Sequence, residues 1–104
     1  MNVSEFLSKI KKIINEDPSK LDWIPTQKNR RTRQELGLSI QDIEDNIKNL
    51  EETDLFRGPE KDRDIPDELL YIFKKNLENQ IIYIKLKLRN NKIVVCLSFH
   101  IDEE

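Results

Sequence analysis

Alanine is absent from the 104 residues, glycine occurs twice, and cysteine and histidine occur once each. The lone Cys96 excludes an internal disulfide framework and a cysteine-built zinc cage. The lone His100 excludes a histidine-rich metal site and any chemistry that needs two imidazoles. Two glycines and four prolines exclude collagen-like and low-complexity character. No apolar run approaches the ~20 residues that span a bilayer. Met1-Asn2-Val3-Ser4-Glu5 lacks the basic start and apolar stretch of a secretory leader. A cytoplasmic protein without membrane contact is therefore expected. Apolar residues make up 37% of the chain, below the usual ~45–50%. Yet Ile and Leu supply 26 residues, and such large branched side chains can fill a core that a disordered chain could not build. The length suits one domain, residues 1–104.

The net charge of -2 hides a segregation of sign. Residues 1–33 carry +4, residues 34–70 carry -8, residues 71–101 carry +5, and Asp102-Glu103-Glu104 close the chain with -3. Basic ends around an acidic middle fit either a solvated charged surface or two separate surfaces, one attracting phosphates and one meeting a protein partner.

Val3, Phe6, Leu7, Ile10, Ile13 and Ile14 recur at helical spacing, with Asn2 or Ser4 as cap and Asp17-Pro18 as stop. Leu21 to Gln27 reads as an irregular bridge with Trp23 as a core plug. A short helix over about 29–36 is predicted to end at Gly37. Ser39 and Asp42 resemble a capping box for the next helix, whose stripe is Ile40, Ile43, Ile47 and Leu50. Residues 51–68 lack a period. Three strand-like runs follow, Leu69–Lys74, Gln80–Leu88 and Lys92–Ile101, joined by turns at 75–79 and Asn90-Asn91. The fold class is α+β: N-terminal helices, about 1–50, packed on a small antiparallel sheet, about 54–101, in two layers.

A two-residue turn at Asn90-Asn91 predicts the pairs Ile82–Phe99, Ile84–Leu97, Leu86–Val95 and Leu88–Ile93 on one face. All eight side chains are apolar, so this is the core face. The opposite face then gathers Tyr83, Lys85, Lys87, Ser98 and His100. A phenol, an imidazole and ammonium groups suffice for attack of an RNA 2′-hydroxyl on the adjacent phosphate without a metal or other cofactor. That reaction needs a base, an acid and cations for the developing charge. His100, with a reference pKa near ~6.5, suits proton transfer near neutrality. Lys85 and Lys87 suit the phosphate. The same face can equally be an ordinary solvated sheet surface.

These pieces, in order, resemble the MqsR family of type II toxin–antitoxin toxins, messenger-RNA interferases with a RelE-like fold. The resemblance covers roughly residues 28–101. It rests on Glu35-Leu36-Gly37-Leu38, Asp42, the run from Leu50 to Arg57, Gly58-Pro59 with Asp62, Tyr71-Ile72-Phe73, Tyr83-Ile84-Lys85-Leu86 and Ser98-Phe99-His100. It implies that Arg57 holds the scissile phosphate and that Tyr83 and Lys85 lie in the site. The best-known member ends its last strand in Ser-Phe-Lys, where this chain has His100. A glutamine that the family can carry before Tyr71 has no match among Glu68, Leu69 and Leu70.

The expected function is thus a metal-independent endoribonuclease toxin with Arg57, Tyr83, Lys85 and His100 as catalytic residues. Its expected partners are single-stranded mRNA and a cognate antitoxin. Lys87, Arg31 and Arg33 are candidate RNA contacts, with Lys28 and Arg30 beside them, although this basic run can also be a solvated helix. The acidic stretch Glu44 to Glu52 is a solvated face or an antitoxin dock. The competing reading is a non-catalytic nucleic-acid-binding or adaptor domain. Thr32 to Ser39 resembles the turn of a helix-turn-helix, but the helix after it carries Asp42, Glu44 and Asp45, which phosphates repel.

Overall fold

Helix α1 spans Val3–Glu16 in the computed structural model, which describes residues 1–103. Asn2 and Glu5 close a capping box at its start, and Asp17 ends it before Pro18. Its apolar stripe of Phe6, Leu7, Ile10 and Ile14 is buried. Helix α2, Gln27–Leu36, begins two residues earlier than the spacing predicts, because Thr26 accepts a hydrogen bond from the Asn29 N–H at 3.1 Å and caps it. Gly37, with φ +64°, ends it in the left-handed region. Helix α3, Ile40–Lys48, starts with the expected Ser39–Asp42 box. Ile43, Ile47 and Leu50 are buried, but Ile40 is 43% exposed. As the first residue of the helix, Ile40 lies before the stripe reaches the core.

Among the described residues five strands form one sheet: β1 Leu21–Trp23, β2 Leu55–Lys61, β3 Leu69–Leu77, β4 Gln80–Arg89 and β5 Ile93–Ile101. Their spatial order is β1-β5-β4-β3-β2. The sheet is mixed, since β1 runs parallel to β5 while the other pairs are antiparallel. Sequence periodicity misses two strands. β1 is three residues long, too short to show alternation. β2 contains two register shifts, which break the period of two. Strand β3 also runs three residues further than expected, so a tight Glu78-Asn79 turn with both residues at positive φ replaces the five-residue connection.

The core joins the helices to one face of the sheet: Phe6, Ile10, Ile14, Ile43 and Ile47 cluster with Tyr71, Phe73, Ile82, Ile84, Leu86, Val94, Cys96 and Phe99. Phe6 stacks on Tyr71 with ring centroids 3.8 Å apart. Each such side chain, fully buried, contributes about 1.5–3 kcal/mol. Burial pushes the Cys96 thiol far up, so it packs as an inert apolar group.

The β4–β5 register corrects the expected hairpin. Asn90 and Asn91 do adopt positive φ, and Lys92 N–H closes the turn on the Arg89 carbonyl at 3.0 Å. The ladder, however, pairs Arg89 with Ile93, leaving Lys92 over. A second residue, Leu97, is inserted between the pairs Leu86–Cys96 and Lys85–Ser98. The first offset reverses the faces of residues 93–96, so Val94 and Cys96 point into the core in place of Ile93 and Val95. The bulge reverses them again. Beyond it Ser98 and His100 return to the face away from the core, opposite Lys85 and Tyr83.

Candidate active site

The outer sheet face is built in rows across the strands. Lys74 of β3, Tyr83 of β4 and His100 of β5 are register partners in one row. Arg57 of β2, Ile72 of β3, Lys85 of β4 and Ser98 of β5 form the next. Adjacent strands lie ~4.8 Å apart, so Arg57 and Lys85 stand about 10 Å apart at the backbone. That separation lies within the combined reach of the two side chains toward one shared anion. Ile72 is fully buried between them.

Tyr83 and His100 stack, with ring centroids 5.3 Å apart and planes 17° from parallel. The His100 Nδ1 lies 3.0 Å from the Ile101 carbonyl oxygen. A carbonyl only accepts, so this contact puts the proton of a neutral imidazole on Nδ1 and leaves Nε2 as the basic atom. Tyr83, Lys85, Ser98 and His100 line an open depression with Lys28 of α2 and the tail residues Asp102 and Glu103. Arg57 is more than half exposed at its side chain and pairs with Glu60 at 3.2 Å.

One neighbour of the site, Lys74, escapes a sequence reading, and a second, Lys28, is expected only as part of the basic run on α2. Lys74 stands opposite Tyr83, sits 3.9 Å above the Phe56 ring and pairs with Asp102 at 2.8 Å. The signal for it is the Glu78-Asn79 turn, which sets the β3–β4 register. Lys28 reaches the depression only because α2 packs along β5, a contact that no local pattern encodes.

Two of the expected RNA contacts are engaged elsewhere. The Lys87 side chain is 8% exposed, its ammonium 2.7 Å from Asp62 Oδ2 and 2.9 Å from Glu68 Oε1. Segment 62–68 folds over this end of the outer face, so Lys87 is a structural tether instead of a phosphate ligand. Burial alone would lower the Lys87 pKa, but the hydrogen bonds to Asp62 and Glu68 outweigh it and the net shift is upward. The same Lys87 hydrogen bonds hold Asp62 and Glu68 below the usual carboxylate range. Arg33 donates from Nε to the Leu38 carbonyl at 3.0 Å and lies 5.0 Å over the Trp23 ring. Arg31 is exposed beside Gln27, Arg30 and Gln34. The helix-turn-helix alternative loses ground as well, because the buried residues of α2, Asn29 and Thr32, point at the edge of β5.

Among the described residues no helix is long and apolar enough to cross a membrane. No curated protein matches the chain. The family described as motility quorum-sensing regulator, toxin of MqsA, matches residues 4–101. That span contains every strand and helix except the first residue of α1, together with the whole outer-face cluster. The chain therefore belongs to the MqsR toxin family and is the toxin half of a toxin–antitoxin pair.

Proposed function

We propose that this toxin cleaves single-stranded messenger RNA by attack of a ribose 2′-hydroxyl on the adjacent phosphate. The new 2′-O–P bond forms as the P–O5′ bond breaks, leaving a 2′,3′-cyclic phosphate and a 5′-hydroxyl. His100 takes the 2′-hydroxyl proton at Nε2. The Tyr83 phenol orients the phosphate and delivers a proton to the departing 5′-oxygen. Arg57 and Lys85 hold the phosphate and balance the charge that grows on its oxygens. Every proton and charge is thus assigned to a side chain, so the scheme needs no metal. Lys28 and Arg31 extend the basic surface toward neighbouring phosphates, which adds salt-dependent affinity without sequence preference.

The observation that carries this reading is the direct opposition of Tyr83 and His100, one row from Lys85 and Ser98, on an open face. Cytoplasmic action follows from such a substrate. The test is incubation of purified protein with end-labelled single-stranded RNA in excess EDTA. Cutting that persists and leaves cyclic phosphate ends is expected. Cutting that stops with EDTA overturns the metal-free scheme.

A further inference from the structure

We infer that Asn29 is a positioning residue for His100, acting through the bulged segment of β5; the inference rests on the ribonuclease reading above. Strand β1 ends at Trp23, opposite Cys96. Among the described residues no strand pairs with β5 on that side from Leu97 onward, so its outward-facing backbone groups there need other partners. Unpaired groups in a buried edge cost stability and let the segment shift. Helix α2 supplies the missing partners from side chains. Asn29 is fully buried and uses every polar position it has. Its Oδ1 accepts the Phe99 N–H at 3.0 Å, and its Nδ2 donates to the Leu97 carbonyl at 3.0 Å and the Ile24 carbonyl at 2.8 Å. One turn on, Thr32 Oγ1 accepts the Ile101 N–H at 3.0 Å.

The peptide N–H groups on both sides of His100, those of Phe99 and Ile101, are therefore tied to α2. The Ile101 carbonyl in turn accepts a hydrogen bond from the His100 Nδ1–H. Asn29 and Thr32 are the two buried residues of α2. Both residue types weaken a helix interior. A helix that turns polar side chains inward at i and i+3 is serving hydrogen bonds more than apolar area. What those bonds fix is the short stretch that carries Ser98 and His100, and a misplacement of about 1 Å at a reacting group costs about 100-fold in rate.

The single histidine makes the test clean, because its ring C–H resonances are unique in the proton spectrum, and stacking on Tyr83 gives them a ring-current shift. Asn29→Ala should move those resonances toward their free-imidazole positions and lower kcat on RNA about 10–100-fold, with KM within about twofold. Should Asn29→Ala fail to fold, Asn29→Asp keeps an acceptor for the Phe99 N–H, loses the twin donation and carries the same readouts. Ile47→Val, a core change in α3, should lower the melting temperature while leaving the His100 resonances and kcat in place. Folded Asn29 variants with wild-type His100 resonances and wild-type kcat would overturn the inference. If the wild-type protein cuts no RNA, the ribonuclease reading fails by itself, and the resonance shifts still decide whether Asn29 positions His100.

Discussion

Tyr83 and His100 face each other across β4 and β5 with their rings stacked at 5.3 Å. The pairing depends on Leu97, since without the second inserted residue the strand beyond it would carry its histidine toward the core side. If the pair performs proton transfer, His100→Ala should cost about 100- to 10,000-fold in RNA cleavage. It should abolish growth arrest on induction, while circular dichroism and melting stay near wild type. Tyr83→Phe keeps the ring but loses the phenol that protonates the 5′-oxygen, so it should likewise cost about 100-fold or more in cleavage and remove growth arrest with the fold intact. Full toxicity in both variants would remove the assigned roles.

Arg57 and Lys85 share a row with Ile72 between them. Because both act on charge, Arg57→Ala and Lys85→Ala should each lower kcat by about 100-fold, in the range seen for loss of one preorganised donor. Arg31→Ala, further out on α2, should instead flatten the dependence of RNA binding on salt with little change in kcat. Measuring kcat beside a titration of binding against potassium chloride separates these outcomes, because all three variants lose a phosphate contact but only Arg57→Ala and Lys85→Ala should lose kcat.

The Lys87 tether predicts how stability follows pH. Asp62 and Glu68 are depressed in the folded protein, so they stabilise it above their unfolded values near ~4 and lose that contribution as pH falls through their folded values. Lys87 is raised, so its contribution is complete below its unfolded value near ~10.4 and disappears as pH rises through its folded value. The urea midpoint should therefore hold a plateau from about pH 5 to 10 and decline on both sides. In Lys87→Met both limbs should be shallower. Parallel profiles for the two proteins would mean the three groups are not coupled.

Gly58 has φ +113°, and a Cβ there would sit 2.5 Å from the Leu70 carbonyl oxygen. Both the backbone conformation and the close approach of β3 exclude a side chain. Gly58→Ala should destabilise the fold by about 1–3 kcal/mol and disturb its neighbour Arg57. Gly37→Ala meets open space and suffers only from its left-handed φ of +64°, so its cost should be the smaller of the two. Equal denaturation midpoints for the two variants would contradict this ranking.

The helices were legible because caps and periodicity are local. Asn2, Ser39 with Asp42, and Gly37 act as their residue types predict. The hairpin was legible only in part. The Asn90-Asn91 turn formed as expected, but the extra residues at Lys92 and Leu97 leave no mark in composition, because a bulge is decided by what packs on each side. The two offsets cancel for His100 and Ser98, so their face was expected for a register that does not occur. They do not cancel for Val95, expected on the core face and found opposite Lys87 on the other, with Cys96 in the core in its place. Lys87 followed the alternation of β4 correctly, but its burial depends on Asp62 and Glu68, which lie more than 15 residues away in sequence. Arg57 came from family resemblance, since the broken register of β2 hides its face.

The most direct test compares wild-type and His100→Ala proteins, each shown to be folded, on one labelled single-stranded RNA in EDTA, with product ends resolved. The wild type should yield fragments ending in 2′,3′-cyclic phosphate, and His100→Ala should yield almost none. Equal cutting by both proteins, or wild-type products ending in a 3′-hydroxyl, would contradict imidazole-driven cleavage on this sheet face.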